Sequence, residues 1–389
     1  MIGTMFMAST LVTPLYVLYQ RAFGFSTIAL TIIYSAYVVG NLLALLFLGR
    51  ISDALGRRRV VLWAITVAAA STALFLFAAG PESLWWGRAL SGVAIALASG
   101  AGTAWITELL PDADRPRAAL IATTANFIGL AIGSLIAGCL AQYGPAPLKL
   151  PFIAYAVLLG IVAAQIARTP ETVAPRATSL ASLLAPRIGI PRAILGSFAA
   201  PAITGFATFS LIGLYAALLP SLLSQRLHVA NLAVAGAIVS ELFAVSTAAM
   251  IATRHLAGER AMRHGLALLI PGLALLVVTD ILASLPLLIV DTALVGIAAG
   301  LGYRGSLQAV NRIAPPERRA EVVSSYFIAC FIGNSVPVIG VGWLSAARGP
   351  LFALCVFAAL VGAFVLLALA AARAHSQAPP SARTSATVD

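Results

Sequence analysis

Gly49-Arg50-Ile51-Ser52-Asp53-Ala54-Leu55-Gly56-Arg57-Arg58-Arg59 is a short basic turn between two long apolar runs, and its reading decides the fold. Glycines at its first and eighth positions let two helix ends come close to a neighbouring backbone. Asp53, set among arginines, is placed to pair with one of them or to meet a helix N-terminus. The stretch reads as a latch.

Outward from the turn, the chain is apolar almost throughout. Of its 389 residues 61% are hydrophobic and only 10% charged, with a mean hydropathy of +0.99. No soluble globular domain has that balance, so the class is an integral membrane protein. The net charge of +11 does not signal nucleic acid, because the basic residues sit in short clusters between apolar runs instead of on one domain. Cys139, Cys330 and Cys355 lie inside apolar segments without paired spacing or a neighbouring His. Neither a disulfide framework nor a metal site is expected, and no cofactor is implied. The N-terminal run lacks a basic leader and is followed at once by a second run, so it reads as a retained helix, with a start set slightly late.

Asking for roughly 20 apolar residues per crossing predicts twelve spans, at about 4–20, 28–48, 60–79, 84–107, 118–140, 150–167, 193–219, 232–253, 265–282, 286–310, 321–344 and 350–372. Of the 24 Lys and Arg, 18 fall on the side of Asp53, Arg115, Arg176, Arg260, Arg318 and the C-terminal tail. Four fall opposite, Arg21, Lys149, Arg226 and Arg348, and Arg88 and Arg304 lie within spans. The positive-inside rule then puts the basic turn and both termini in the cytoplasm. Residues 168–192, rich in Arg, Pro, Ser and Ala, form the expected linker between an N-terminal six-helix bundle (1–167) and a C-terminal one (193–372). Residues 373–389 read as a disordered cytoplasmic tail. A shift of 204 residues lays Gly92 on Gly296, Pro111 on Pro315, Arg115 on Arg319, Phe127 on Phe331, Gly129 on Gly333 and Gly138 on Gly342, which predicts a parallel internal repeat. A degenerate copy of the basic turn, Arg254 to Arg263, lies between spans 8 and 9 without the acidic residue of the pattern, and weaker latching is expected there.

The pattern G-x-x-x-D-x-x-G-R-R, filled by Gly49, Asp53, Gly56, Arg57 and Arg58, resembles the signature loop between helices 2 and 3 of the major facilitator superfamily of secondary transporters. The resemblance implies an all-α integral membrane protein with 12 transmembrane helices as two six-helix bundles, a site between them, and rocking of one half against the other. Arg88-Ala89-Leu90-Ser91-Gly92 resembles the R-x-x-Q-G motif of proton-coupled members. Arg88 either snorkels beside Trp85 and Trp86 or faces the cavity, where it sets the proton affinity of a carboxylate or meets an anionic substrate group. Gly129-Leu-Ala-Ile-Gly133-Ser134-Leu-Ile-Ala137-Gly138 resembles the G-x-x-x-G-P-x-x-G-G motif of drug/proton antiporters, with Ser134 and Ala137 replacing Pro and Gly. The same small residues serve plain helix packing equally well. Arg168-Thr169-Pro170-Glu171-Thr172 resembles the P-E-T ending of the family's first half.

Glu241 lies about nine residues into span 8, roughly 13 Å deep at 1.5 Å per residue. It is the leading proton-site candidate, against a neutral Glu hydrogen-bonded between helices. Asp280 and Asp291 read as interfacial. Glu108, Glu317 and Glu321 read as loop or gate ion pairs with Arg115, Arg117, Arg318 and Arg319. Arg304 reads as a cavity-lining substrate contact or the partner of an acidic gate residue. Since spans 1, 4, 7 and 10 line the family's cavity, the resemblance nominates Thr13, Tyr16, Gln20, Arg88, Trp105, Thr208, Tyr215, Tyr303, Arg304 and Gln308. Asn126 and Asn334 are further buried polar groups on spans 5 and 11. The expected partners are a small-molecule substrate, protons and the lipid bilayer, with no nucleic acid, for a monomer in a bacterial inner membrane. A proton-coupled exporter of a small organic molecule is weighed against an importer or facilitator of a sugar or carboxylate. A membrane enzyme or sensor is the third alternative, but the chain has no nucleophile–base pair, metal cluster or phosphate loop.

Overall fold

The computed structural model describes residues 1–111, 115–174, 186 and 188–377. Much of the expected linker, including Arg176, and residues 378–389 of the expected tail lie outside the described residues. Among those described, the regular structure is all helical: α1 (Ile2–Leu11), α2 (Tyr16–Phe23), α3 (Thr27–Leu48), α4 (Ile51–Leu55), α5 (Arg57–Leu76), α6 (Pro81–Leu109), α7 (Arg115–Tyr143), α8 (Leu150–Arg168), α9 (Leu195–Gln225), α10 (Leu232–Ala252), α11 (Gly258–Leu282), α12 (Leu285–Ile313), α13 (Arg319–Arg348) and α14 (Pro350–Gln377). The last helix runs past the predicted end at 372.

Twelve stretches of helix are long and apolar enough to cross a membrane, α1 and α2 together making the first. These helices are apolar on every face, as lipid-embedded helices are. On α3 one face buries Leu30, Ile33, Tyr37 and Ala44, while Ile32, Val39 and Leu43 stay exposed. Backbone polar groups have no water to bond in hydrocarbon, and a helix satisfies nearly all of them within its own span.

The first span departs from the predicted single helix. Pro14 lacks the N–H that the carbonyl of Thr10 would accept, and the chain tightens into a 3₁₀ turn over Thr13–Leu15 before restarting as α2. Side chains from other helices hold the interrupted segment. Arg88 donates to the Ser9 carbonyl at 2.8 Å and Tyr155 to the Thr4 carbonyl at 3.0 Å, while Thr10 anchors itself on the Leu130 carbonyl at 2.7 Å.

Two compact units are present, Met1–Pro186 with Tyr215–Thr247, and Arg187–Leu214 with Ala248–Asp389. Within the first, α3 packs on α6, α5 on α6 and α8, and α1 on α7. Within the second, α11 packs on α12 and α14, and α13 on α14. Asp280 and Asp291, read as interfacial from the sequence, lie near the ends of α11 and α12 and are covered by protein there, 1% and 0% exposed in the second unit. The sequence placed them near helix ends, but a neighbouring helix covers an end as readily as a middle.

Candidate functional site

The basic turn builds a charged cluster whose hub is Arg57. Its Nη1 donates to Asp53 at 2.5 Å and to Ser52 at 2.7 Å; Nη2 and Nε donate to Glu108 at 2.8 and 3.2 Å. Its side chain is only 10% exposed, against 30% for Glu108 and 59% for Asp53. Asp53 therefore does pair with an arginine of the turn, but through a solvent-screened i,i+4 contact. The better buried partner is Glu108 of α6. The sequence had assigned Glu108 to Arg115 or Arg117; the side chain of Arg115 lies outside the described residues, and Glu108 is committed to Arg57 and to the Thr172 hydroxyl.

The N-terminus of α5 is met by Glu171, not by Asp53. Its two carboxylate oxygens accept from the N–H groups of Arg57 and Arg58 at 2.8 and 3.0 Å, satisfying donors that a helix start leaves open and complementing its dipole. Gly56 makes this possible. Its φ is +98°, a region in which side chains are strained, and a Cβ there would stand 2.6 Å from Glu171 Oε2. Arg58 adds only long contacts, 3.5 Å to the carbonyls of Ala167 and Thr169. The P-E-T segment is thus part of the charged cluster around Arg57. Its acid after a proline, just beyond a span, was the signal available in the sequence. It also redirects Trp105, nominated for the cavity, since the indole N–H donates to the Pro170 carbonyl at 3.2 Å.

In the second unit the degenerate turn has weaker ties. Glu259 pairs with Arg312 where both side chains are more than half exposed, an arrangement worth about 0–1 kcal/mol. Arg304 pairs with no acid among the described residues, and its Nε has no hydrogen bond there. Its guanidinium donates to the Leu256 carbonyl at 3.2 and 3.3 Å and to that of Arg254 at 3.5 Å, closing the open carbonyls after α10. Gln308, also nominated for the cavity, is exposed and lies against Gly258 at the start of α11. Glu321 pairs with Arg318 at 2.8 Å.

Arg88 is 0% exposed, which removes the snorkelling alternative. Besides the Ser9 carbonyl, its guanidinium lies 4.5 Å from the Tyr37 ring centroid and 5.4 Å from that of Tyr34, with a long 3.5 Å contact to the Tyr34 carbonyl. Its Nε has no hydrogen bond, and no carboxylate reaches it among the described residues. Tyr16 stands within electrostatic range, and the hydroxyls of Tyr16 and of Thr13, in the helix interruption, are buried without a hydrogen-bond partner among the described residues. Three nominated residues thus gather around the interrupted first span. Gln20 is half-buried on α2 and Tyr215 buried on α9. In the second unit Thr208, whose buried hydroxyl has no partner among the described residues, packs on Gly302, and Tyr303 meets Phe209 edge to face at 5.5 Å.

Glu241 sits at the centre of α10, half-buried. No hydrogen bond or ion pair joins it to Arg88 or to any other described residue. The alternative of a Glu hydrogen-bonded between helices is not what the geometry shows. Asn126 is half-buried, its Oδ1 without a partner; beside it Phe127 of α7 meets Phe243 of α10 edge to face at 5.8 Å.

The small-residue stripe of α7 serves two neighbours. Gly129 and Gly133 face α1, where added Cβ atoms would fall 2.1 Å from the Gly3 carbonyl oxygen and 2.6 Å from that of Met7. Gly138 faces α10, with the Leu232 carbonyl oxygen at 2.5 Å. One turn earlier, Ser134 donates to the Gly236 carbonyl at 2.6 Å. Ser134, in the place of the motif's proline, supplies a helix-to-helix hydrogen bond instead of a bend.

Comparison with protein families matches residues 1–338 to the Major Facilitator Superfamily model. The chain belongs to that superfamily. Its fold is shared with solved transporters of low sequence identity. A bacterial homologue of the human lysosomal transporter Spinster, inward-facing and unoccupied, is 16% identical with a TM-score of 0.74, covering 97% of each chain. The human organic anion transporter MFSD10 (TETRAN) is 18% identical with a TM-score of 0.69, covering 95% of this chain and 96% of that one. A variant of the nucleoside transporter NupG is 14% identical with a TM-score of 0.72, covering 95% and 98%. Comparison with curated protein sequences finds no match. The superfamily member described here is therefore a multi-pass membrane transporter.

Proposed function

We propose that this transporter exports a small organic molecule in exchange for protons, by alternating access between halves 1–167 and 193–372, in a bacterial inner membrane with both termini cytoplasmic. The observation that carries the reading is Glu241. A carboxylate halfway along a membrane span, with no partner among the described residues, costs about 3 kcal/mol when charged, and taking up a proton removes that cost. Such a group loads and releases protons as its surroundings change. The stripe of α7, which ties that helix through Gly138 to α10, Glu241's own span, supports the antiporter side of the resemblance. The test is a proteoliposome assay with a trapped pH-sensitive dye. Substrates found by a melting-shift screen should evoke proton flux in the wild type and none in Glu241→Gln. Equal fluxes in the two proteins would retire Glu241 as the coupling site.

A second reading, an importer or facilitator of a carboxylate, draws on Arg88. A buried cation lacking a carboxylate partner among the described residues is several kcal/mol short of compensation, and the Ser9 carbonyl and the two tyrosine faces, at about 2 kcal/mol for a desolvated ring, return only part of it. An arriving substrate anion would supply the rest. Direction of uptake in inside-out vesicles separates the two readings.

A further inference from the structure

At the end of the first unit opposite the Gly49–Arg59 turn, α2, the ends of α7 and α9, and the start of α10 enclose a cavity of about 200 Å³. Part of its lining is apolar, from Leu18, Pro220, Val229 and Ala235; the polar part is Arg21, Gln142, Ser224 and Asn231, with no acidic side chain. Two of the polar groups are half committed. Gln142 Oε1 accepts from the Leu232 N–H at 2.8 Å, and Asn231 Oδ1 caps α10 by accepting from Ala233 and Val234 at 2.9 and 3.1 Å. Each spends its acceptor and leaves its NH₂ to donate. Arg21 is not committed. Its one hydrogen bond among the described residues is a long 3.4 Å to the Ser224 hydroxyl, and no described carboxylate lies within ion-pair distance.

A guanidinium with one long hydrogen bond and two amide side chains whose acceptors are spent line the cavity together with apolar residues, a set of donors with no acid among the lining to receive them. Charge-assisted bonds to an anion are the strong interactions such a set makes. The volume is below the roughly 300–1,000 Å³ of drug-sized sites, so the occupant is small. We infer that this cavity binds a monoanion carrying a small apolar body. Its occupant is either a free carboxylate or the phosphodiester end of an anionic lipid, the same chemistry from two sources. Because Arg21 belongs to the first span, Ser224 to α9 and Asn231 to the cap of α10, an occupant braces the contact among those three elements. The site goes beyond the transport reading and does not depend on it.

The test measures binding, so its failure and that of the transport reading are separate events. Benzoate is titrated calorimetrically into the full chain in phosphatidylcholine nanodiscs, with benzamide as the neutral isostere. Saturable benzoate binding is expected, with benzamide silent. Arg21→Gln, an exposed position whose melting temperature should be unchanged, should weaken binding at least tenfold. Ala235→Leu, which fills the cavity and keeps the charge, should do the same. In a second arm phosphatidylglycerol replaces part of the lipid: retention of that lipid in native mass spectra, lost in Arg21→Gln, together with competition against benzoate, supports the site and assigns the lipid as occupant. Benzoate binding untouched by phosphatidylglycerol supports it and assigns a free anion. Absence of saturable binding in both arms overturns the inference, as does unchanged binding in either variant.

Discussion

Replacing Glu108 by Gln separates the two carboxylates that share Arg57. Asp53 is 59% exposed and its contact with Arg57 spans the helix break at Gly56, so Asp53→Asn should cost about 0–0.5 kcal/mol, in the lower part of the range for exposed pairs. Glu108 is 30% exposed, faces a guanidinium that is 10% exposed, and receives two of its donors at 2.8 and 3.2 Å. That lies between an exposed pair, at about 0–1 kcal/mol, and a buried one, whose breaking costs about 3–5 kcal/mol. The expected loss is about 2 kcal/mol, in line with charge-assisted bonds at roughly 1.5–3 kcal/mol. Unfolding by sodium dodecyl sulfate in dodecylmaltoside micelles, followed by far-ultraviolet circular dichroism, reads both variants. A cycle with Arg57→Gln should return a coupling of about 2 kcal/mol for Glu108 and under about 0.5 kcal/mol for Asp53. Equal couplings, or a larger one for Asp53, would refute the assignment of Glu108 as the principal anchor.

Glu241→Gln should make transport insensitive to external pH while leaving ligand-induced melting shifts in place; a preserved pH profile in vesicles contradicts this. Gly56→Ala places a side chain at φ +98° and against Glu171, and should cost about 1–3 kcal/mol in the same unfolding assay. Gly138→Val drives side-chain atoms into the Leu232 carbonyl and the Gly236 backbone, so its melting temperature should fall well below that of Ser134→Ala, which loses one hydrogen bond worth about 1 kcal/mol. Asp53→Asn should slow cycling in proteoliposomes with membrane insertion intact, shown by unchanged yield in the membrane fraction; a wild-type rate would remove the latch role from Asp53.

Membrane residence, twelve helices and the family were legible in the sequence, because each is set by local quantities. In hydrocarbon a helix satisfies nearly all of its backbone groups inside its own span, so apolar length alone marks a crossing, and the Gly49–Arg59 turn carries its pattern in adjacent residues. The spacing of Gly129, Gly133 and Gly138 likewise foretold close helix approach, though not that the first two meet α1 and the third α10. What a charged side chain touches is a matter of three dimensions. The pairing of Glu108 with Arg57, the capping of α5 by a glutamate more than a hundred residues away, the turning of Trp105 and Arg304 toward backbone carbonyls, and the burial of Asp280 and Asp291 all depend on which helix stands beside which. In a chain where nearly every face is apolar, hydropathy does not distinguish a lipid neighbour from a protein one. Only packing decides where the few polar groups meet.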